Sequence, residues 1–365
     1  MKIAQISPLF EAVPPRLYGG TERVVAQLCE ALVDLGHDVT LFSSADARTR
    51  AKLAPMRDQA IRLDPEPLKS DVGAHLTMLS EVYARRESFD VLHFHTDMLH
   101  FPFFETIPEK TITTLHGRLD LKDLPGVYRR WPEFPLISIS DAQRVHLPSA
   151  NWAGTIHHGM KADPTTWYHA EPRPGYLAFL GRMSPEKAPV QAIAIAKRLG
   201  LPLKMAAKVD LRDAAYFQEV VVPHLNDPLV EYVGEISESQ KPEFLGNACA
   251  LLFPIVWPEP FGLVMIEAMA CGTPVLAFSA GSAPEVVDDG VTGLLVEDAD
   301  EAVRRFPELL ALRRLDVRRR FERRFTATAM AKRYLDVYAK RLVRETPVRR
   351  PIADETSVAT SRDAA

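Results

Sequence analysis

"YLAFLGRMSPEKAPVQAIAIAKRLGLPLKMAA", residues 176–207, joins two short apolar runs through a stretch in which apolar residues recur at helical intervals. A strand at 176–181, a helix from about 185 to 199 and a second strand form a βαβ unit, which implies a parallel sheet. The alternation continues downstream with a helix near 212–224, "VEYVG", a helix near 238–247, "ALLFP", "PVLAF" and "GLLV". Upstream, the first 160 residues show the same pattern: "KIAQIS", the helix-like "TERVVAQLCEALVDLG", "DVTLFS", a helix near 73–86, "DVLHFH", "TITTLH" and "PLISIS". Gly36 suits the left-handed end of the first helix.

A chain of 365 residues exceeds one comfortable hydrophobic core, so two domains with a cleft between them are expected. Between the two series, "KADPTTWYHAEPRPG" (161–175) carries three prolines and little periodicity, as connectors do. The expected division is residues 1–165, residues 166–327, an amphipathic helix at 328–344 that crosses back to the first domain, and a polar, disordered tail at 345–365. The connector and the last helix are the expected hinge elements.

Hydrophobic residues make up 47% and charged residues 25%, the balance of an ordinary globular chain. The formal net charge of −4 gives no global attraction for nucleic acid or an anionic membrane. Three cysteines without CxxC spacing argue against a disulfide framework and for a reducing cytoplasm. The N-terminus lacks the apolar core of a signal peptide, and no window holds the roughly 18 uncharged apolar residues needed to span a bilayer. A soluble cytoplasmic protein, at most peripheral to a membrane, is expected.

Seven segments could carry chemistry. In "PEPFGLVMIEAMACG" (258–272), Glu259 and Glu267 are eight positions apart, which on a continuous helix is roughly 80° in azimuth and about 12 Å along the axis. The flanking prolines place Glu259 in the loop entering the helix and Glu267 one to two turns inside it. The amides of Gly262 and Leu263 then lie at a helix start, where free donors favour an anion such as a diphosphate. A plain core helix with two surface glutamates fits the spacing equally well.

In "LGRMSPEK" (180–187), Arg182 and Lys187 follow a strand end, where two cations would stabilise a leaving phosphate; a helix capped by Ser184 with two solvated basic residues is the simpler alternative. In "RLYGGTERVV" (16–25), Gly19 and Gly20 permit close backbone approach and Thr21 can cap the following helix, although the GxGxxG fingerprint is absent. His116 in "TLHG" ends a strand. His93 and His95 share a strand face and read as hydrogen-bonded packing, since no third metal ligand is at hand. "SAGSAPEVVDDG" (279–290) suits a pocket lining or a capped helix, and Asp300 in "EDADE" reads as a helix cap rather than half of a metal-binding DxD with Asp298.

Taken in order, these segments resemble the family 4 retaining glycosyltransferases, which have the GT-B fold: two Rossmann-like βαβ domains facing each other across a cleft. The similarity runs from residue 1 to about 343. It implies transfer of a sugar from a nucleotide-diphosphate sugar to a hydroxyl acceptor with retention of anomeric configuration, without a metal or other cofactor. The acceptor could be a glycan, a lipid-linked sugar or a small molecule, and no nucleic acid is involved. By resemblance, Arg182 and Lys187 hold the donor diphosphate, Glu267 the ribose and Glu259 the donor sugar, assisted by amides near Gly262 and Leu263. His116 contacts the transferred sugar, Gly19 and Gly20 form the loop near the donor phosphates, and Lys208 and Ile236 lie near the nucleotide. The chain departs from the family at Ala188-Pro189, where glycine is usual, and in "SAGSAPE", which has one glycine where a pair is common. Rival readings are an NAD-dependent oxidoreductase, disfavoured without GxGxxG, a GT-B epimerase or phosphorylase, and a non-catalytic nucleotide-sugar-binding protein.

Overall fold

The computed structural model describes residues 1–16, 19–162 and 175–345. Most of the 161–175 connector and the tail beyond 345 lie outside them, and so does the hinge expectation for the connector. Two parallel sheets organise the rest. The first contains β1 (Lys2–Ile6), β2 (Asp38–Ser43), β3 (Lys52–Pro55), β4 (Val91–Phe94), β5 (Thr111–Thr114), β6 (Leu136–Ser138) and β7 (Trp152–Thr155), ordered β3-β2-β1-β4-β5-β6-β7. The second contains β8 (Leu177–Arg182), β9 (Leu203–Lys208), β10 (Val230–Gly234), β11 (Ala250–Phe253), β12 (Val275–Phe278) and β13 (Gly293–Val296), ordered β10-β9-β8-β11-β12-β13.

Each order starts at a central strand, runs outward one way and then reverses. The reversal opens a crevice beyond the carboxyl ends of β1 and β4 in the first lobe and of β8 and β11 in the second, which is where ligands gather in doubly wound sheets. Buried on both faces, the central strands read as continuous apolar runs. Leu251, Leu252, Leu276 and Ala277 are all fully or almost fully buried.

The helix Gly20–Asp34 presents Val24, Val25, Leu28, Cys29 and Leu32 to the first sheet at helical spacing. Gly36, with φ 83°, ends it. The helix Ala327–Glu345 belongs to the same core although it follows the second sheet in sequence. Met330, Tyr334 and Tyr338, four residues apart, are buried among Ile3, Val25, Leu28 and Ile112. Its two tyrosine hydroxyls meet polar groups of the first sheet: Tyr334 with Thr114 at 2.9 Å, and Tyr338 with Gln5 at 3.2 Å and His93 at 2.7 Å.

Several local expectations are corrected. Residues Pro185–Lys187 form a short 3-10 turn rather than the start of the helix; Ala188 turns left-handed (φ 51°), and the helix proper is Pro189–Leu199. Ser184 makes no capping bond. Thr21 likewise does not cap its helix, which starts at Gly20. Asp298, not Asp300, caps the helix Ala299–Leu310 by accepting from the Glu301 amide at 2.8 Å, while Asp300 pairs with Arg198 on the surface. No helix among the described residues is long and apolar enough to cross a membrane.

Candidate active site

Between the lobes lies a cavity of about 710 Å³, and every residue singled out above as catalytic or donor-binding lines it. Most of those residues come from strand ends and helix starts. Gly181 and Arg182 finish β8, Lys208 finishes β9, His116 lies just beyond β5, and Gly262 and Leu263 open the helix Leu263–Ala270.

The helix start depends on two glycines. Gly262 adopts φ 76°, and a Cβ there would stand 2.8 Å from both Phe253 and Met265. Gly281 adopts φ 54°, and a Cβ there would stand 2.5 Å from the backbone nitrogen of Glu259. The Ser282 amide then donates to the Glu259 carbonyl at 3.0 Å. The "SAGSAPE" loop therefore does not line the cavity as one reading expected: it buttresses the segment that carries Glu259. Its Glu285 reaches the first lobe instead, accepting from the Asp141 and Ala142 amides at 2.7 Å each.

The second lobe supplies charge. Lys187 bonds Glu259 Oε2 and sits 5.1 Å from the Trp257 ring centroid, with Arg118 of the first lobe 5.3 Å from the same ring. Arg182 lies 3.4 Å from Asp210 and 3.5 Å from Asp213, and Lys208 lies 3.1 Å from Asp210. Glu267, 3% exposed, is the fifth residue of its helix and bonds Lys241 and Arg23. Burial raises the pKa of this carboxyl, but the pull of Lys241 and Arg23 overcomes that and holds it low, so it is ionised.

Besides Arg23, Arg62 and Arg118, the first lobe supplies neutral rings. His93 and His95 are buried, as expected for packing: His93 bonds Thr114 at 2.8 Å and Tyr338, and His95 bonds Gln5 Oε1 and His116 Nε2 at 2.8 Å each. Burial pushes the His116 imidazole down to about 3 and His95 well below its usual value, so both are neutral at pH 7. The tautomers follow. Gln5 Oε1 accepts, so His95 Nε2 carries a proton and Nδ1 accepts from His116 Nε2. His116 Nδ1 is left as a buried acceptor with no partner among the described residues, on a residue that lines the cavity. It can receive a hydroxyl hydrogen.

Three residues of this site were not singled out from sequence. Arg23 and Glu22 stand inside the quoted "GGTERVV", yet nothing local distinguishes them from a solvated helix face. Burial raises the Glu22 carboxyl to about 7. Lys241 is buried against Glu267, which no spacing rule reveals. Among the described residues no three His, Cys, Asp or Glu gather where they could hold a metal ion.

Residues 168–326 match the family model described as glycosyl transferases group 1, and residues 18–170 match that of glycosyltransferase family 4. The chain is 30% identical over 347 residues to alpha-maltose-1-phosphate synthase of Mycobacterium tuberculosis (strain CDC 1551 / Oshkosh), covering 82% of this chain and 86% of that one. It is 29% identical over 374 residues to phosphatidyl-myo-inositol mannosyltransferase of Mycobacterium leprae (strain TN), covering 94% and 96%. Among solved structures, AviGT4, a glycosyltransferase involved in avilamycin A biosynthesis, superposes with a TM-score of 0.67 at 25% identity, covering 94% of this chain and 98% of that one.

Proposed function

Because this chain belongs to the group 1 glycosyltransferases and has their GT-B fold, we propose that it transfers a sugar from a nucleotide-diphosphate sugar to a hydroxyl acceptor, with retention of anomeric configuration and without a metal. The observation that carries the reading is the convergence of Arg182, Lys187, the helix start at Gly262, Glu259 and Glu267 on one cavity. Breaking a sugar-phosphate bond leaves a nucleoside diphosphate whose charge must be neutralised as an oxocarbenium-like centre develops. Two cations and a helix N-terminus supply that neutralisation. Glu267 suits the ribose, Glu259 the hydroxyls of the donor sugar, and the unpaired Nδ1 of His116 a hydroxyl of the sugar in transit. Retention follows from front-face attack, in which the departing phosphate helps deprotonate the acceptor. Both relatives carry names that imply hydroxylated acceptors, one forming a maltose phosphate and one acting on phosphatidyl-myo-inositol. A cleft that closes on its substrates would keep water from competing with the acceptor.

A thermal-shift panel of UDP, GDP, ADP and TDP, followed by their sugars, tests the reading. One diphosphate and its sugar should raise the melting temperature, and added acceptor should then release free diphosphate with the product in the donor's anomeric configuration. No stabilisation by any of them would overturn it.

A further inference from the structure

Arg23 rises from the helix Gly20–Asp34 of the first lobe, yet its ion-pair partners Glu238 and Glu267 both belong to the second. Lys241 joins the same two carboxylates, at 2.6 Å from Glu238 and 2.9 Å from Glu267. The side chains are well shielded: 12% exposed for Arg23, 9% for Lys241 and 4% for Glu267. Arg23 and Lys241 reach Glu267 through a single oxygen, Oε1. Oε2 has no hydrogen-bond partner among the described residues, and Glu267 and Arg23 both line the cavity. The Nε of Arg23 is buried and also has no partner among the described residues.

A carboxylate held on one oxygen by a planar guanidinium and by an ammonium has little freedom to rotate. Its second oxygen is then offered in a fixed direction, and a vicinal diol is the group whose two hydroxyls match such an acceptor. Lysine alone, a point charge on a flexible stem, would leave the carboxylate free to swing. We propose that Arg23 is a donor-positioning residue: reaching across the cleft, it fixes Glu267 through Oε1 so that Oε2 receives the ribose diol of the nucleoside diphosphate. The inference rests on the reading that Glu267 meets the ribose, and it adds that ribose recognition needs a residue from the opposite lobe. Donor binding is thereby tied to lobe approach, because Arg23 reaches Glu267 only while the lobes stand close.

The experiment compares wild type with Arg23→Ala, measuring by calorimetry the affinity for UDP, GDP and ADP and for the 2′-deoxy and 3′-deoxy forms of whichever binds. In the wild type, loss of either hydroxyl should weaken binding about tenfold. In Arg23→Ala the parent diphosphate should itself bind about tenfold more weakly, and the penalty for a missing hydroxyl should shrink to about threefold or less. Donor KM should rise in step while kcat changes little, and Arg23→Lys should fall between. Should Arg23→Ala not fold, as judged by circular dichroism, Arg23→Lys and Arg23→Gln report the same ratio. Unchanged discrimination between the ribose and deoxyribose forms would overturn the inference while leaving the donor reading intact, and so would a fall in kcat with unaltered KM. A wild type that binds none of the three diphosphates would overturn both.

Discussion

The two lobes share one strand order but face the cavity with different chemistry. From the second come four cations, Arg182, Lys187, Lys208 and Lys241, with their carboxylate partners; the first adds Arg23, Arg62 and Arg118 and contributes the rings of His95 and His116, which burial keeps neutral. The contrast separates two tasks that one Rossmann-like sheet would have to combine. Charge that stabilises a leaving diphosphate works best held in place beside acidic partners, whereas a neutral acceptor such as His116 Nδ1 can bind a sugar hydroxyl without repelling an oxocarbenium-like centre.

The most direct way to break this comparison is to remove charge from the second lobe. Lys187→Ala should lower the rate of transfer about 100- to 1,000-fold, as removal of a preorganised group at a developing charge does. Glu259 loses its partner but borders the cavity and can be hydrated there, so the melting temperature should move by only a few degrees. Steady-state kinetics and calorimetry check the pair of outcomes. A large loss of stability with an unchanged rate in the folded fraction would mean that Lys187 is structural and that the two walls do not divide the work.

Titration probes the other wall. His93, His95, His100, His116 and His158 all have pKa values lowered by burial, His116 to about 3, from an unfolded value near 6.5. Between the folded and unfolded values the unfolded chain binds more protons, so stability is complete above about pH 6.5 and falls as the pH drops. At pH 5 His116 alone costs about 2 kcal/mol. Glu22 acts in the opposite sense: raised to about 7, it favours the folded state below about pH 4.5 and loses that contribution as the pH rises through 7. Asp97, raised to about 6, acts with Glu22, but several imidazoles outweigh two carboxyls, so urea midpoints should fall from pH 7 to pH 5. A flat profile would mean that the histidine wall is not kept neutral.

A smaller effect concerns how the first lobe is held. Tyr338→Phe removes the hydroxyl that bonds both Gln5 and His93 and leaves those groups buried without it, which should cost about 1–3 kcal/mol in urea unfolding. Kinetic constants should hardly move, because the last helix sits behind the sheet. A rise in donor KM would instead show that the helix transmits to the cavity.

The halves also differ in how much could be read before the structure. All strands of the second sheet were legible because each is an apolar run closed by glycine, proline or a polar turn. In the first sheet β3 and β7 are not legible. They are edge strands of four residues with half-buried patterns, "KLAP" and "WAGT", which match no periodic template. Within the site, Glu259, Glu267, Arg182 and Lys187 could be read because each lies in a short segment whose order along the chain resembles a known family. Arg23 could not, since what distinguishes it is a carboxylate 244 positions away. Pairings of that kind are written in the tertiary fold and leave no mark on local spacing.

The smallest expected effect tests a likeness between the walls. Among the described residues, Asp97 and Ala188 are the non-glycine positions with positive φ, at 49° and 51°, each in a loop that follows a strand beside the crevice, β4 in one lobe and β8 in the other. Strain of this kind persists where the surroundings over-determine the backbone, and Ala188 directly follows Lys187. Aspartate tolerates the left-handed region, whereas alanine is disfavoured there by roughly 1–2 kcal/mol. Glycine at 188 relieves that strain but raises the entropy of the unfolded chain by about 0.4–1 kcal/mol. Ala188→Gly should therefore stabilise the protein by about 0.5–1 kcal/mol, a rise of a few degrees at most, while Asp97→Gly should give no gain. If Ala188→Gly also lowers kcat, the strained alanine is what holds Lys187 against Glu259; if kcat is unchanged, the strain is incidental to the charged wall.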